Sequence, residues 1–274
     1  MNALSIDVEE YYHGMEFEAA VPKHRRHLLP SRVEETVDRV LALLERFDTR
    51  ATFFVVGKVA EAHREMVRKI ASARHEIACH SYAHELVFRQ SPRAFREDLR
   101  RAHAVLEDLA GGDVYGYRAP NYSIGPSQAW AYDILLEEGF RYDSSIYPVR
   151  HDRYGDPAAP RFPYIIHGDL IEFPIGTFRR CGLNFPIGGG GYFRLFPTSW
   201  FQRAIQSVNE KERKPVMFYF HPWEMDPEQP RPPMPAHHRF RHYVNLHRFE
   251  SKVETLLSRV RFSPASEVLG LGRT

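Results

Sequence analysis

His80 and His84 stand four positions apart in CHSYAH, residues 79–84, behind a short apolar run. Two imidazoles at that spacing can face one point, as ligands of a divalent metal must. Spacing alone decides little. Fifteen histidines in 274 residues produce about 0.8 such pairs by chance, and His238 and His242 form a second one. Asp7 and Glu9 sit two apart in SIDVEE, so on a strand their carboxylates point to the same side. Two neutral imidazoles and one carboxylate leave open positions on a metal, as catalytic zinc sites require.

Such residues need a scaffold that brings distant segments together. Short β-rich runs at 3–8, 51–57, 75–80, 113–118, 140–146, 169–175 and 215–221 read as strands, and VRFSPASEV (260–268) follows the last helix. A capping box of Ser31 and Glu34 opens a helix whose buried face carries Val33, Val37, Val40, Leu41 and Leu44. Further helices are predicted over 58–73, from Ser91–Pro92 to Gly111–Gly112, and near 127–138, 198–210 and 247–259. This alternation predicts an α/β fold with a parallel sheet, closed as a barrel or open and doubly wound. The Pro-rich stretches 147–163 and 222–235 and the glycine run 188–191 read as long loops.

In that frame the reactive residues fall where strands end: Asp7 and Glu9, His80, Arg118 in YRAPNY, Asp143 in YDSS, and His221 in HPWE. Loops at the carboxyl ends of parallel strands converge on one face. Five such ends are harder to obtain by chance than any single motif. The pair His238/His242 lies in a Pro-rich loop with no strand before it.

The ordered set resembles the NodB-type polysaccharide deacetylases, carbohydrate esterase family 4, with five motifs matched between residues 5 and 224. The resemblance implies a distorted (β/α) barrel of seven strands with long loops over the catalytic mouth. It would be a single domain over 1–274 with loop insertions and a C-terminal extension. Asp7 takes the position of the catalytic base. Val8 stands where the usual motif has a metal-binding aspartate, so Glu9 is the ligand by analogy with Asp-x-Asp branches, with Glu10 as the alternative. His80 and His84 complete the set for a divalent metal, zinc first. The resemblance pairs Arg118 with Asp7, puts the Asn121 amide on the oxyanion, and makes His221 a general acid oriented by Asp143. Trp223, just after His221, reads as a core side chain more often than a sugar platform, with sugar stacking as the functional alternative.

The reaction implied is metal-dependent removal of N-acetyl groups from the amino sugars of an acetylated polysaccharide or oligosaccharide. GGGGYFRLFP (188–197), HPWEMDPEQP (221–230) and DVEEYYH look most like the branch encoded with exosortase/PEP-CTERM loci, implying exopolysaccharide biosynthesis. Two other readings keep the same residues: an amidohydrolase acting on small cyclic amides, and a carbohydrate-binding barrel without turnover. Cys79 points away from the His80 side and reads as a small buried hydrophobe. His13, Cys181 and Glu224 receive no role, and Glu172 reads as a loop or strand charge.

Composition narrows the classes. A formal net charge of +2 supplies no broad field for nucleic acid, and the clusters KHRRH (23–27) and HHRFRH (237–242) read as solvated loops. No apolar run approaches a membrane span. MNALSIDVEEYYH lacks the basic and long apolar regions of a signal peptide. A chain starting at Met1 is therefore expected in the cytoplasm, in association with a membrane-bound polysaccharide assembly. Two cysteines exclude a disulfide framework and a Cys-rich zinc site.

Overall fold

All seven residues of strand β1 (Asn2–Val8) are buried, which requires cover on both faces of the sheet. The computed structural model, which describes residues 1–18 and 20–271, supplies it. After β1 come β2 (Thr52–Val55), β3 (Glu76–Cys79), β4 (Gly116–Tyr117), β5 (Tyr142–Asp143), β6 (Tyr164–His167) and β7 (Leu170–Glu172). A separate hairpin of β8 (Thr177–Arg180) and β9 (Leu183–Pro186) precedes β10 (Met217–Phe220) and β11 (Phe262–Ser263). The main sheet runs β10-β1-β2-β3-β4-β5-β7-β6, and β11 also pairs with β1. Every pairing in it is parallel except β6 with β7.

The sheet curls, and its two faces hold different clusters. Ala3, Phe54, Ala78, Tyr142, Met217 and Tyr219 pack inside the curl. Leu4, Ile6, Val8, Phe53, Val55, Ile77, Cys79 and Tyr117 pack outward against the helices, the period-2 alternation of a strand. Helix Val33–Arg46 buries Val33, Val37, Val40, Leu41 and Leu44 on that face. Helix Pro92–Ala110 starts where Ser91 Oγ accepts the Ala94 N–H at 3.2 Å and ends at Gly111, in the left-handed region at φ 65°. These are a side-chain N-cap and a glycine C-cap, each satisfying backbone groups the helix leaves over.

Several expectations need correction. The seven-strand count misses antiparallel β6, which begins just after the Pro-rich stretch 147–163, and β11. Among the described residues the ladder does not close continuously: single bridges, Ile175–Met217 and Gly189–Tyr219, join the segments after β7 and β9 to β10. The capping box at Ser31 does not form. Ser31 Oγ donates to Glu10 instead, and Glu34 pairs with His63 at 2.9 Å. The helix over 58–73 breaks at His63 into Gly57–Ala62 and Arg64–Ser72. Within 260–268, Pro264 ends β11 and a helix, Ala265–Leu269, follows. The glycine run opens helix Gly190–Leu195, and His238 and His242 lie on helix Ala236–Tyr243, not in a loop. No helix among the described residues is long and apolar enough to cross a membrane.

His75 ties acid stability to this frame. Its Nδ1 accepts the Ala51 N–H at 3.3 Å, and burial, with Arg50 nearby, pushes its pKa down to about 4. The unfolded chain therefore takes the proton first. The contribution of neutral His75 is complete above its unfolded pKa of about 6.5 and is lost as pH falls through 4. We expect His75→Gln to flatten the loss of stability between pH 6.5 and 4 by on the order of 2–3 kcal/mol. Denaturant midpoints of the two proteins at each end of that window measure it, and parallel slopes would show that His75 is not the sensitive group.

Candidate active site

Strand pairing sets the level of the site. Val8, Val55, Cys79, Tyr117, Asp143 and Glu172 form one row of partners across the sheet. Glu9, His80, Arg118 and Ser144 stand one residue beyond that row, so they share the inner face with Asp7. β10 brings His221 directly after Phe220. A cavity of about 440 Å³ opens over these residues, and the second half of the chain walls its far side with His151, Tyr154 and Tyr192.

One donor atom each from Glu9, His80 and His84 lies within 4.8 Å of the other two. His84 Nε2 is 2.7 Å from Glu9 Oε2. His80 Nδ1 is 2.7 Å from the Arg118 carbonyl oxygen, which can only accept, so Nδ1 carries the proton and Nε2 keeps its lone pair. Burial lowers the His80 pKa to about 4, against the pull of Asp7, so the ring is neutral at pH 7. Burial would raise the Glu9 pKa, but the imidazoles of His84 and His221 outweigh it and hold the carboxyl below the usual carboxylate range. An ionised carboxylate and two imidazoles, converging beside a cavity, suit a divalent ion of the zinc type with positions left for substrate.

Glu10 faces elsewhere: Ser31 Oγ and, at 3.2 Å, the Arg32 N–H donate to it at the start of helix Val33–Arg46. A loop, not a helical turn, spans the four positions from His80 to His84. Ser81 and His84 are both left-handed, at φ 59° and 52°. Asp98 pins the loop by accepting the N–H groups of Tyr82 and Ala83 at 2.7 and 3.0 Å. His13, which carried no sequence signal, stacks on His84 at 5.1 Å and 14°.

Arg118 is fully buried. It donates from Nη1 to Asp7 Oδ1 at 2.5 Å and Ser5 Oγ at 2.9 Å, and from Nε and Nη2 to the carbonyl and hydroxyl of Ser144 at 3.1 and 2.8 Å. The guanidinium therefore fixes Asp7 inside the curl and neutralises it. Asn121 lines the cavity from a left-handed turn (φ 51°) just after β4.

His221 does not meet Asp143. Tyr142 and Ser144 point inward, so Asp143 between them faces the other side of the sheet, where Ser145 Oγ donates to it at 2.5 Å and Glu172 is its register partner. Burial raises both carboxyls, Asp143 to about 6 and Glu172 further under the charge of Asp143, so the pair shares a proton. The carboxylates at His221 are instead Glu9, 3.5 Å from Nε2, and Glu224, 3.8 Å from Nδ1. Burial alone would lower the His221 pKa, but Glu9, Glu224 and Asp7 raise it to about 9.

Trp223 is only 7% exposed. Its ring stacks on His221 at 5.0 Å and His242 at 4.4 Å, and its indole N–H points to Glu9 Oε1 at 3.4 Å. It packs the site and does not present an open platform to a sugar. Cys79 is buried in the outer cluster, as its place on the strand requires.

Residues 28–133 match the family model for polysaccharide deacetylase, and residues 144–270 match a domain of unknown function, DUF3473. The chain is 29% identical over 113 residues to a peptidoglycan deacetylase of Helicobacter pylori, a stretch covering 41% of this chain and 38% of that protein. The matched stretch thus spans well under half the length of that curated relative. A Mycobacterium smegmatis structure assigned as a polysaccharide deacetylase superposes with a TM-score of 0.63 at 21% identity, covering 98% of this chain and 88% of that one. An allantoinase superposes almost as well, with a TM-score of 0.62 at 17% identity, covering 97% and 87%. At these identities the superpositions speak for the fold, a curled α/β sheet.

Proposed function

We propose that this chain, related to the polysaccharide deacetylases through residues 28–133, is a hydrolase of carbon–nitrogen bonds that removes N-acetyl groups from the amino sugars of a polysaccharide. The observation that carries the reading is the convergence of Glu9, His80 and His84 beside an Asp7 that Arg118 holds at 2.5 Å. The peptidoglycan deacetylase relative supports it. Glu9 Oε2 and the Nε2 atoms of the two histidines would hold a divalent ion, zinc first. Bound there, such an ion supplies Lewis acidity, polarising an acyl oxygen and making water acidic enough to ionise near neutral pH.

The chain's own groups divide the proton transfers. Asp7 accepts the proton of the attacking water. The Asn121 amide donates to the acyl oxygen as negative charge builds on it, a task for the main chain that is indifferent to the side chain. His221 delivers a proton to the departing nitrogen, because an amine leaves poorly unless protonated. Its Nε2 faces the metal group while Nδ1 faces away. The physiological polymer in this proposal is an exopolysaccharide made at exosortase-linked loci, on the strength of GGGGYFRLFP and HPWEMDPEQP.

Acetate release from a panel of N-acetylated oligosaccharides, run beside cyclic amides with and without zinc, tests the reading. Acetate from the glycans, dependent on metal, supports it. Ring opening of a cyclic amide alone moves the chain to the small-molecule class that the allantoinase fold also serves. Glycan binding with no acetate under any divalent metal makes it a binding barrel. Within the positive outcome, His221→Ala should lower kcat by about 10²–10⁴-fold with little change in KM. Wild-type turnover would remove the histidine from the reaction.

A further inference from the structure

The glycine run 188–191 has a use beyond forming a loop. A β-carbon on Gly190 would overlap Oε2 of Glu224 and crowd the other two carboxylate atoms. That carboxylate is 1% exposed. It accepts the backbone N–H of His221 at 3.2 Å and lies beneath the His221 ring. His221 Nδ1 is buried without a hydrogen-bond partner among the described residues and stands 3.8 Å from Glu224 Oε2. Such a contact is loose, but hydrogen bonds around catalytic groups often tighten only with substrate in place.

Gly190 and Arg194 lie one helical turn apart on Gly190–Leu195, hence on one face. The face left bare at Gly190 therefore also carries Arg194, whose Nε forms an ion pair with Glu224 Oε1 at 3.1 Å without the angle of a hydrogen bond. The other nitrogens of Arg194 donate to the carbonyls of His242, Val244 and Arg241 at 2.6, 3.1 and 3.1 Å. They tie it to the end of helix Ala236–Tyr243, where carbonyls lack partners and a cation is favoured. Arg194 is thus held rigidly, and it holds Glu224.

We propose that Glu224, seated against Gly190 and clamped by Arg194, is the residue that positions His221, the task the resemblance would have given to Asp143. Gly190, Arg194, His221 and Glu224 all lie within the segment 144–270, so that segment of unknown function supplies the proton-donating side of the site. The proposal rests on the deacetylase reading for its kinetics, but not for its geometry.

The experiment combines kinetics with ¹⁵N spectra of the His221 imidazole in full-length protein. Glu224→Gln should lower kcat by about 10–100-fold, the range for loss of an outer carboxylate that orients a metal-bound imidazole. KM should change little, and the His221 Nδ1 resonance should shift. Gly190→Ala should lower kcat similarly in the wild-type background, yet by less than about twofold on top of Glu224→Ala, where no carboxylate remains to be displaced. Asp143→Asn should leave the His221 signals in place. Wild-type kcat and unshifted His221 signals in Glu224→Gln would overturn the proposal. So would a Gly190→Ala penalty that persists without Glu224 in protein whose melting curve shows it folded. If the wild type turns over nothing but the Glu224→Gln spectrum shifts, the deacetylase reading fails and the positioning role stands.

Discussion

Glu9→Ala and His84→Ala are expected to abolish tight binding of zinc and, with it, turnover, whereas Asp7→Asn should keep the metal and lose activity by about 10²–10⁴-fold. The structure separates the carboxylates by their partners. Glu9 faces two imidazoles. Asp7 is engaged by a guanidinium and so is less available as a ligand. Metal content after dialysis, read beside acetate release, makes the comparison, with His238→Ala as the variant that should retain both. Equal metal loss in Asp7→Asn would make Asp7 a ligand. Loss in Glu10→Ala without loss in Glu9→Ala would move the ligand by one position, against the bonds that hold Glu10 at Ser31 and Arg32.

The second large effect belongs to Arg118. Its guanidinium is the counter-charge of a buried carboxylate and lies 4.1 Å over the Phe54 ring. Arg118→Met should remove about 3–5 kcal/mol of stability, because it leaves the buried Asp7 carboxyl without its partner. Changing Asp7 to Asn in the same protein should restore part of that loss, since neither charge then remains. Denaturant unfolding of the single and double variants gives both numbers. If Arg118→Met is as stable as wild type, Asp7 does not depend on a counter-ion.

The parts of this arrangement that could be read from the chain are those set by local pattern. Apolar runs followed by Asp7, His80, Arg118 and His221 marked strand ends, and parallel pairing brings those ends to one rim. Helix Pro92–Ala110 was readable from both caps. What escaped depended on partners distant in sequence. Ser31 looked like half of a capping box, but Glu10 competes for its hydroxyl. Glu224 lies in a short turn after Pro222 that folds back under His221, and three residues of separation gave no sign of it. Asp143 was the avoidable error. Tyr142 belongs to the inner cluster, and alternation alone then sends Asp143 to the other face.

The pairing of β1 has a consequence for how the chain is made. Ser5–Val8 pair with β2, but Ala3–Ile6 pair with β10 and Asn2–Ala3 with β11. β1 is therefore completed by two strands that are made long after it. At about 5–20 residues per second of synthesis, the nascent chain carries a hydrophobic strand with one unpaired edge for tens of seconds. Such edges recruit other chains, and contacts of this sequence span form slowly. This protein should therefore lean on chaperones during synthesis more than its size suggests. His221 and Glu224 follow directly on β10, so closing that edge and arming the site happen in a single folding event.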